Sequence, residues 1–160
     1  LTLLAIVSSV LSPTASAVAT MGQTELNTLS PGAVELTTKV AIRAPLQTIS
    51  ITQGYSFFHP GIDFDGVTGD PVYPIMDGQV EAVVYERFGL GNHIIINHDS
   101  GLKSIYAHLS KVEVKTGDRV DTNKIIGKVG ASGRAFGDHL HLEVYDNGRA
   151  INPRTILPLN

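Results

Sequence analysis

The sequence predicts an all-β fold, with antiparallel strands forming a sandwich or a partly open barrel. Three observations carry this expectation. From residue 46 onward, short apolar or alternating runs follow one another closely, as half-buried and buried strands do. Turn signals separate the runs: Asp77-Gly78, Asp99-Ser100-Gly101, Thr116-Gly117-Asp118 and Asp146-Asn147-Gly148. No stretch repeats its apolar residues at helical spacing, and 16 Gly with 8 Pro suit a turn-rich chain.

The elements follow in order. Residues 1–19 open on the apolar run "LTLLAIVSSVL" and continue into small residues with Ala at 15, 17 and 19. That pattern predicts the remnant of a secretory signal, cleaved after Ala17 or Ala19, although an initiator Met and a basic lead are missing. The run is shorter than the ~20 residues that span a bilayer, so export is preferred over an anchor. Residues 20–45 are mixed and polar and read as a linker or peripheral segment, with one possible strand at 34–42. Residues 46–158 form the expected globular domain. Its strands are predicted at "QTISIT", "GIDFD", "PVYPI", "GQVEAVVYE", "NHIIINH", "LKSIYAHL", "KVEVK", "KIIGKVG" and "HLHLEVY".

Composition narrows the function classes. A formal net charge of -3 gives no reason to expect a nucleic acid or an anionic membrane surface as partner. The chain has no cysteine, which removes disulfides, thiolate catalysis and cysteine-ligated zinc. Any metal must therefore be held by histidine and carboxylate. HExxH, GxSxG, P-loop and GxGxxG signatures are also absent.

Six histidines remain to be explained. Strand alternation places His139 and His141 on one face with Glu143 and Tyr145, and Leu140, Leu142 and Val144 on the other. Two imidazoles on one face can converge on a shared site. His59 precedes Asp63 by four residues, and the bent "HPGID" returns both to one face; Asp65 shares that parity, so spacing leaves the carboxylate undecided. Parity groups His108 with Tyr106 and Ser104, and His98 with Ile94 and Ile96 as a satisfied, half-buried residue. His93 is expected at the surface or near a rim. Arg134 and Arg87, in the loops 131–138 and 86–92, read as solvated arginines. Two His and one Asp, with further His left over, suit an open zinc site, which takes three protein ligands and keeps a fourth position for water.

With these residues in view, "HPGIDF" at 59–64, "YAHLS" at 106–110 and "HLHLE" at 139–143 resemble, in order and spacing, the three motifs of lysostaphin/LytM-like zinc metallopeptidases. The resemblance covers roughly residues 47–157. It implies a β fold of the duplicated-hybrid-motif type with an active-site groove and one Zn2+ per chain. The implied activity is endopeptidase cleavage in the stem or cross-bridge of bacterial peptidoglycan. Carried over by motif, His59, Asp63 and His141 are implied as metal ligands, and His108 and His139 as the catalytic pair that does not bind metal. Asp138 stands where the family often has Pro. The expected partners are peptidoglycan peptides, for an exported monomer without stable membrane insertion. Two other readings are carried forward: a non-catalytic wall-binding or hydrolase-activating module on the same fold, and a phosphocarrier with paired histidines in a β sandwich. Asp63 and the export signal count against the second.

Overall fold

The computed structural model describes residues 41–159, so the expectations for residues 1–19 and for most of the linker lie outside the described residues. Eleven strands follow in chain order: β1 (Ile51–Gln53), β2 (Gly61–Asp65), β3 (Pro71–Val72), β4 (Gly78–Val84), β5 (His93–Asn97), β6 (Leu102–Ala107), β7 (Lys111–Val112), β8 (Arg119–Val120), β9 (Gly127–Lys128), β10 (His139–Asp146) and β11 (Arg149–Ile151). A 3-10 turn at Pro153–Thr155 is the single helical element among the described residues. The fold is all-β and antiparallel, as the alternating runs predict. Strands β8 and β11 are additions, and "PVYPI", "KVEVK" and "KIIGKVG" shrink to two-residue strands because each pairs only briefly in a small sheet.

The large sheet has the order β1-β2-β10-β6-β5-β4-β8, with β11 also paired to β10. The small one has the order β3-β9-β7. Register aligns a continuous apolar face across the large sheet. Leu140 lies opposite Phe64, Leu142 opposite both Ile62 and Tyr106, Ile94 opposite Tyr106, and Val80 opposite Ile96. All are buried and belong to one core cluster with Val72, Ile126 and Val129. The small sheet packs on this face at Gly127, where an added Cβ would lie 3.1 Å from Leu109 Cδ1 and 3.6 Å from Ile94 Cδ1. Burial of β-branched and aromatic side chains between two sheets supplies the main stabilisation. The second face of the large sheet is thereby free to carry chemistry.

A polar chain crosses the core beneath β5 and β6. His98 Nδ1–H donates to the Asp77 carbonyl at 2.9 Å, and its Nε2 lies 2.6 Å from Ser104 Oγ. Ser104 Oγ is 2.9 Å from the Tyr106 hydroxyl, which accepts from the Ile75 amide at 2.8 Å. With a neutral ring, each hydroxyl donates once, Tyr106 to Ser104 and Ser104 to His98. A Ser–His contact of this length suits an activated nucleophile, but Ser104 is 0% exposed, so its role is structural. Burial, opposed by the nearby carbonyls and carboxylates, holds His98 below its ordinary value. The unfolded chain therefore binds this proton more readily, so stability rises with pH in the window just below about 6.5. Urea unfolding across that window should show a shallower pH dependence for His98→Asn than for the unsubstituted chain; identical slopes would remove His98 as a cause.

Candidate metal centre and catalytic groove

The second face of β2 and β10 builds the site. Asp63 of β2 lies opposite His141 of β10, and Asp65 lies opposite His139 two pairs further along. His59 enters from the tight turn closed by the Ser56–His59 backbone pair, just before β2. His59 Nε2 comes 3.1 Å from Asp63 Oδ1, and His141 Nδ1 comes 2.6 Å from the same oxygen. The donor atoms offered by His59, Asp63 and His141 all lie within 4.8 Å of one another. Asp65 is exposed and absent from this group, so register separates two carboxylates that parity alone could not.

Gly61 makes the close approach possible. An added Cβ there would meet His141 Cε1 at 2.8 Å and the Leu142 carbonyl at 2.5 Å, so the imidazole lies where a side chain at 61 would stand.

The remaining pair reaches the same place from other elements. The His108 and His139 rings have centroids 4.7 Å apart, and His108 lies 5.8 Å from the His141 ring. Parity put His108 with Tyr106 and Ser104, and the structure corrects this. Tyr106 and Ser104 face the core, while His108 sits just past the end of β6 with φ +61°. Histidine is among the few non-glycine residues enriched in this left-handed region. The kink breaks the alternation and brings the ring into the site. It is held by the His108 amide donating to the Leu90 carbonyl at 3.0 Å and by Nδ1–H donating to the Ser132 carbonyl at 2.8 Å.

Each ring is fixed by its second nitrogen. His59 Nδ1–H donates to the Gly54 carbonyl at 3.0 Å, and His139 Nδ1–H donates to the Gly137 carbonyl at 2.9 Å. His141 is the reverse case, with Nε2 3.0 Å from Glu143 Oε1 and Nδ1 turned to Asp63. Burial opposes charge on His141, yet the two flanking carboxylates push it up to about 9. Burial would raise Asp63, but the hydrogen bond and charge of His141, with His59 and His139, hold it below the usual carboxylate range. Burial also lowers His108, against the pull of the Ser132 carbonyl.

The five residues line one open cavity of about 510 Å³ together with Thr52, Gln53, Leu90, Arg134 and Phe136. Its far wall is knit from two loops. The Arg134 backbone N–H donates to the Gly89 carbonyl at 2.9 Å, and a Cβ on Gly133 would strike the Gly91 amide nitrogen. Asp138 accepts from the Thr68 amide at 2.9 Å and ties this loop to the segment after β2.

Two readings from sequence need adjustment. His93 is buried, because the loop before β5 folds over it, with Nδ1–H donating to the Gly91 carbonyl and Glu86 3.9 Å away. Glu143, read only as one member of a polar strand face, is buried beside His141. The tetrad His139, His141, Glu143, Tyr145 at alternate positions was the available signal for it.

The groove thus joins a His–Asp–His donor set to two further imidazoles on the face of one β-sheet. The family model for Peptidase family M23 matches residues 57–153, and the chain belongs to that family. Peptidoglycan DD-endopeptidase ShyC of Vibrio cholerae is 41% identical over 98 residues, covering 61% of this chain and 22% of that protein. The crystal structure of a zinc-containing peptidase from Vibrio cholerae superposes with TM-score 0.66 and 34% identity, over 70% of this chain and 39% of that one. The catalytic domain of lysostaphin from Staphylococcus simulans gives TM-score 0.61 and 31% identity, over 67% of this chain and 90% of that one. The matched stretch spans about a fifth of the length of the curated relatives.

Proposed function

We propose that this domain is a zinc-dependent endopeptidase that hydrolyses peptide bonds in the stem or cross-bridge of bacterial peptidoglycan, acting after export. The observation that carries this reading is the convergence of His59, Asp63 and His141 on one point of the groove, with His108 and His139 beside it. Relatives named as peptidoglycan DD-endopeptidases support the substrate class. The proposed catalytic domain runs over residues 46–158, preceded by a linker at 20–45 and a signal remnant at 1–19. Among the described residues no helix is long and apolar enough to cross a membrane.

The donor set suits zinc. Two imidazole nitrogens and one carboxylate oxygen are ordinary zinc donors, and three of them make an open site. His141 lies between two carboxylates, and a cation in place of its Nδ1 proton keeps the local charge balanced. His59 Nε2, Asp63 Oδ1 and His141 Nδ1 would hold the ion. When bound, zinc supplies Lewis acidity and a water of lowered pKa at neutral pH. The protein's own residues do the rest. With Nδ1–H committed to backbone carbonyls, His108 and His139 keep Nε2 for proton exchange. Between them they take a proton from the attacking water and return one to the departing amine. A protonated ring at that position also stabilises the oxyanion that develops on the scissile carbonyl. Arg134 and Phe136 lie where the peptide flanks would pass.

The test is digestion of defined peptidoglycan followed by mass spectrometry of the released muropeptides. Hydrolysis should cease after chelation and return with stoichiometric zinc. Full zinc occupancy without released peptides from several wall types would instead favour the non-catalytic module.

A further inference from the structure

Glu143 is 5% exposed, in the middle of β10, between Gly61 on one side and Ile105 on the other. A carboxylate so placed is costly unless its oxygens are satisfied. Both are. Oε1 lies 3.0 Å from His141 Nε2, and Oε2 accepts from the Tyr145 hydroxyl at 2.7 Å. The proposed chemistry does not use this carboxylate.

We infer that Glu143 is a positioning residue that holds His141 in the Nε2–H tautomer with Nδ1 directed at Asp63, and that Tyr145 in turn holds Glu143. A neutral imidazole carries one N–H, and whichever nitrogen holds it cannot bind a cation. The other histidines of the site place that hydrogen on Nδ1 through backbone carbonyls. His141 needs the opposite tautomer, because Nδ1 is the nitrogen 2.6 Å from Asp63. No backbone carbonyl meets Nε2 of His141 among the described hydrogen bonds; the Glu143 carboxylate does. Gly61 leaves the space the His141 ring occupies, since a Cβ there would lie 2.8 Å from its Cε1 and 3.0 Å from its Nε2. The sequence therefore carries one column of alternate residues, 141, 143 and 145, in which each side chain orients the one before it. Without Glu143 the ring is free to take the other tautomer or to turn over, and either withdraws Nδ1 from the donor set.

The inference rests on the metal-site reading above, and the experiment separates the two. Zinc affinity is measured by competition with a chromophoric chelator for the unsubstituted chain, Glu143→Ala, Glu143→Gln and Tyr145→Phe. Removal of such an outer partner weakens metal binding by about 10–100-fold, and that loss is expected for Glu143→Ala. Glu143→Gln keeps an oxygen that accepts from Nε2–H and should recover part of the loss. Tyr145→Phe should fall between Gln and the unsubstituted chain. Long-range 1H–15N correlation on the zinc-loaded proteins should show His141 protonated at Nε2 in the unsubstituted chain, with that signature lost or mixed in Glu143→Ala. If Glu143→Ala does not fold, the Gln and Phe variants decide. Unchanged affinity together with an unchanged His141 tautomer in the folded variants would overturn the positioning role. Failure of the unsubstituted chain to bind zinc would overturn the metal reading, and the inference with it.

Discussion

His141→Ala is expected to lose its metal and, with it, hydrolysis of peptidoglycan. The substitution removes one of three donor atoms that lie within 4.8 Å of one another, and two protein donors do not make the open zinc site. A metal ion contributes several kcal/mol of transition-state stabilisation, so activity should fall by about 10³-fold or more. The same change leaves the Asp63 and Glu143 carboxylates facing each other across the vacated space, both buried. Breaking a buried pair from one side costs about 3–5 kcal/mol, and the variant should melt earlier than the parent even when both are metal-free. Elemental analysis, muropeptide release and thermal unfolding check the three consequences. Stoichiometric zinc in His141→Ala would show that the metal is held elsewhere.

The opposite dissociation is expected at His108 and His139. Their replacement should leave zinc in place and reduce kcat by about 10²–10⁴-fold, the usual range for a lost proton-transfer group. His139→Ala is a direct test. At 108 the backbone stands at φ +61°, where most side chains are strained by about 1–3 kcal/mol. Asparagine tolerates that region, so His108→Asn removes the imidazole while sparing the turn. Zinc content near one per chain with kcat depressed and KM little moved is the expected pattern. Loss of zinc from His139→Ala would mean that the histidines of 139 and 141 do not divide the work as proposed.

How much of this was readable beforehand depends on which physical rule governs each residue. Period-two alternation is strict inside a strand, so the shared face of His139 and His141 and the core face of Leu140, Leu142 and Val144 were legible from β10 alone. The rule ends where the strand ends. His108 lies one residue past β6, and a single left-handed backbone angle reverses the face that parity assigns. Alternation also says nothing about what covers a face. Patterning put Glu143 beside His141 without saying that the face is covered, and His93 is buried by a loop that local patterning does not describe. Spacing left Asp63 and Asp65 undecided and the motif resemblance implied Asp63; pairing register, a property of two strands together, sets Asp63 opposite His141. The short strands β3, β7 and β9 were overextended because an apolar run marks burial, whereas strand length is set by the partner.

The contact between Gly91 and Gly133 bears on how this groove can change. Backbones 42 positions apart in sequence touch where neither has room for a side chain, and Arg134 is tied to Gly89 beside them. The loops 86–92 and 131–138 are thus one structural unit in two pieces. A chimera that imports one of them from a relative will misplace the other, and through the Leu90 and Ser132 carbonyls it will misplace His108 as well. Retargeting the groove to a different peptide calls for exchanging both pieces from the same donor.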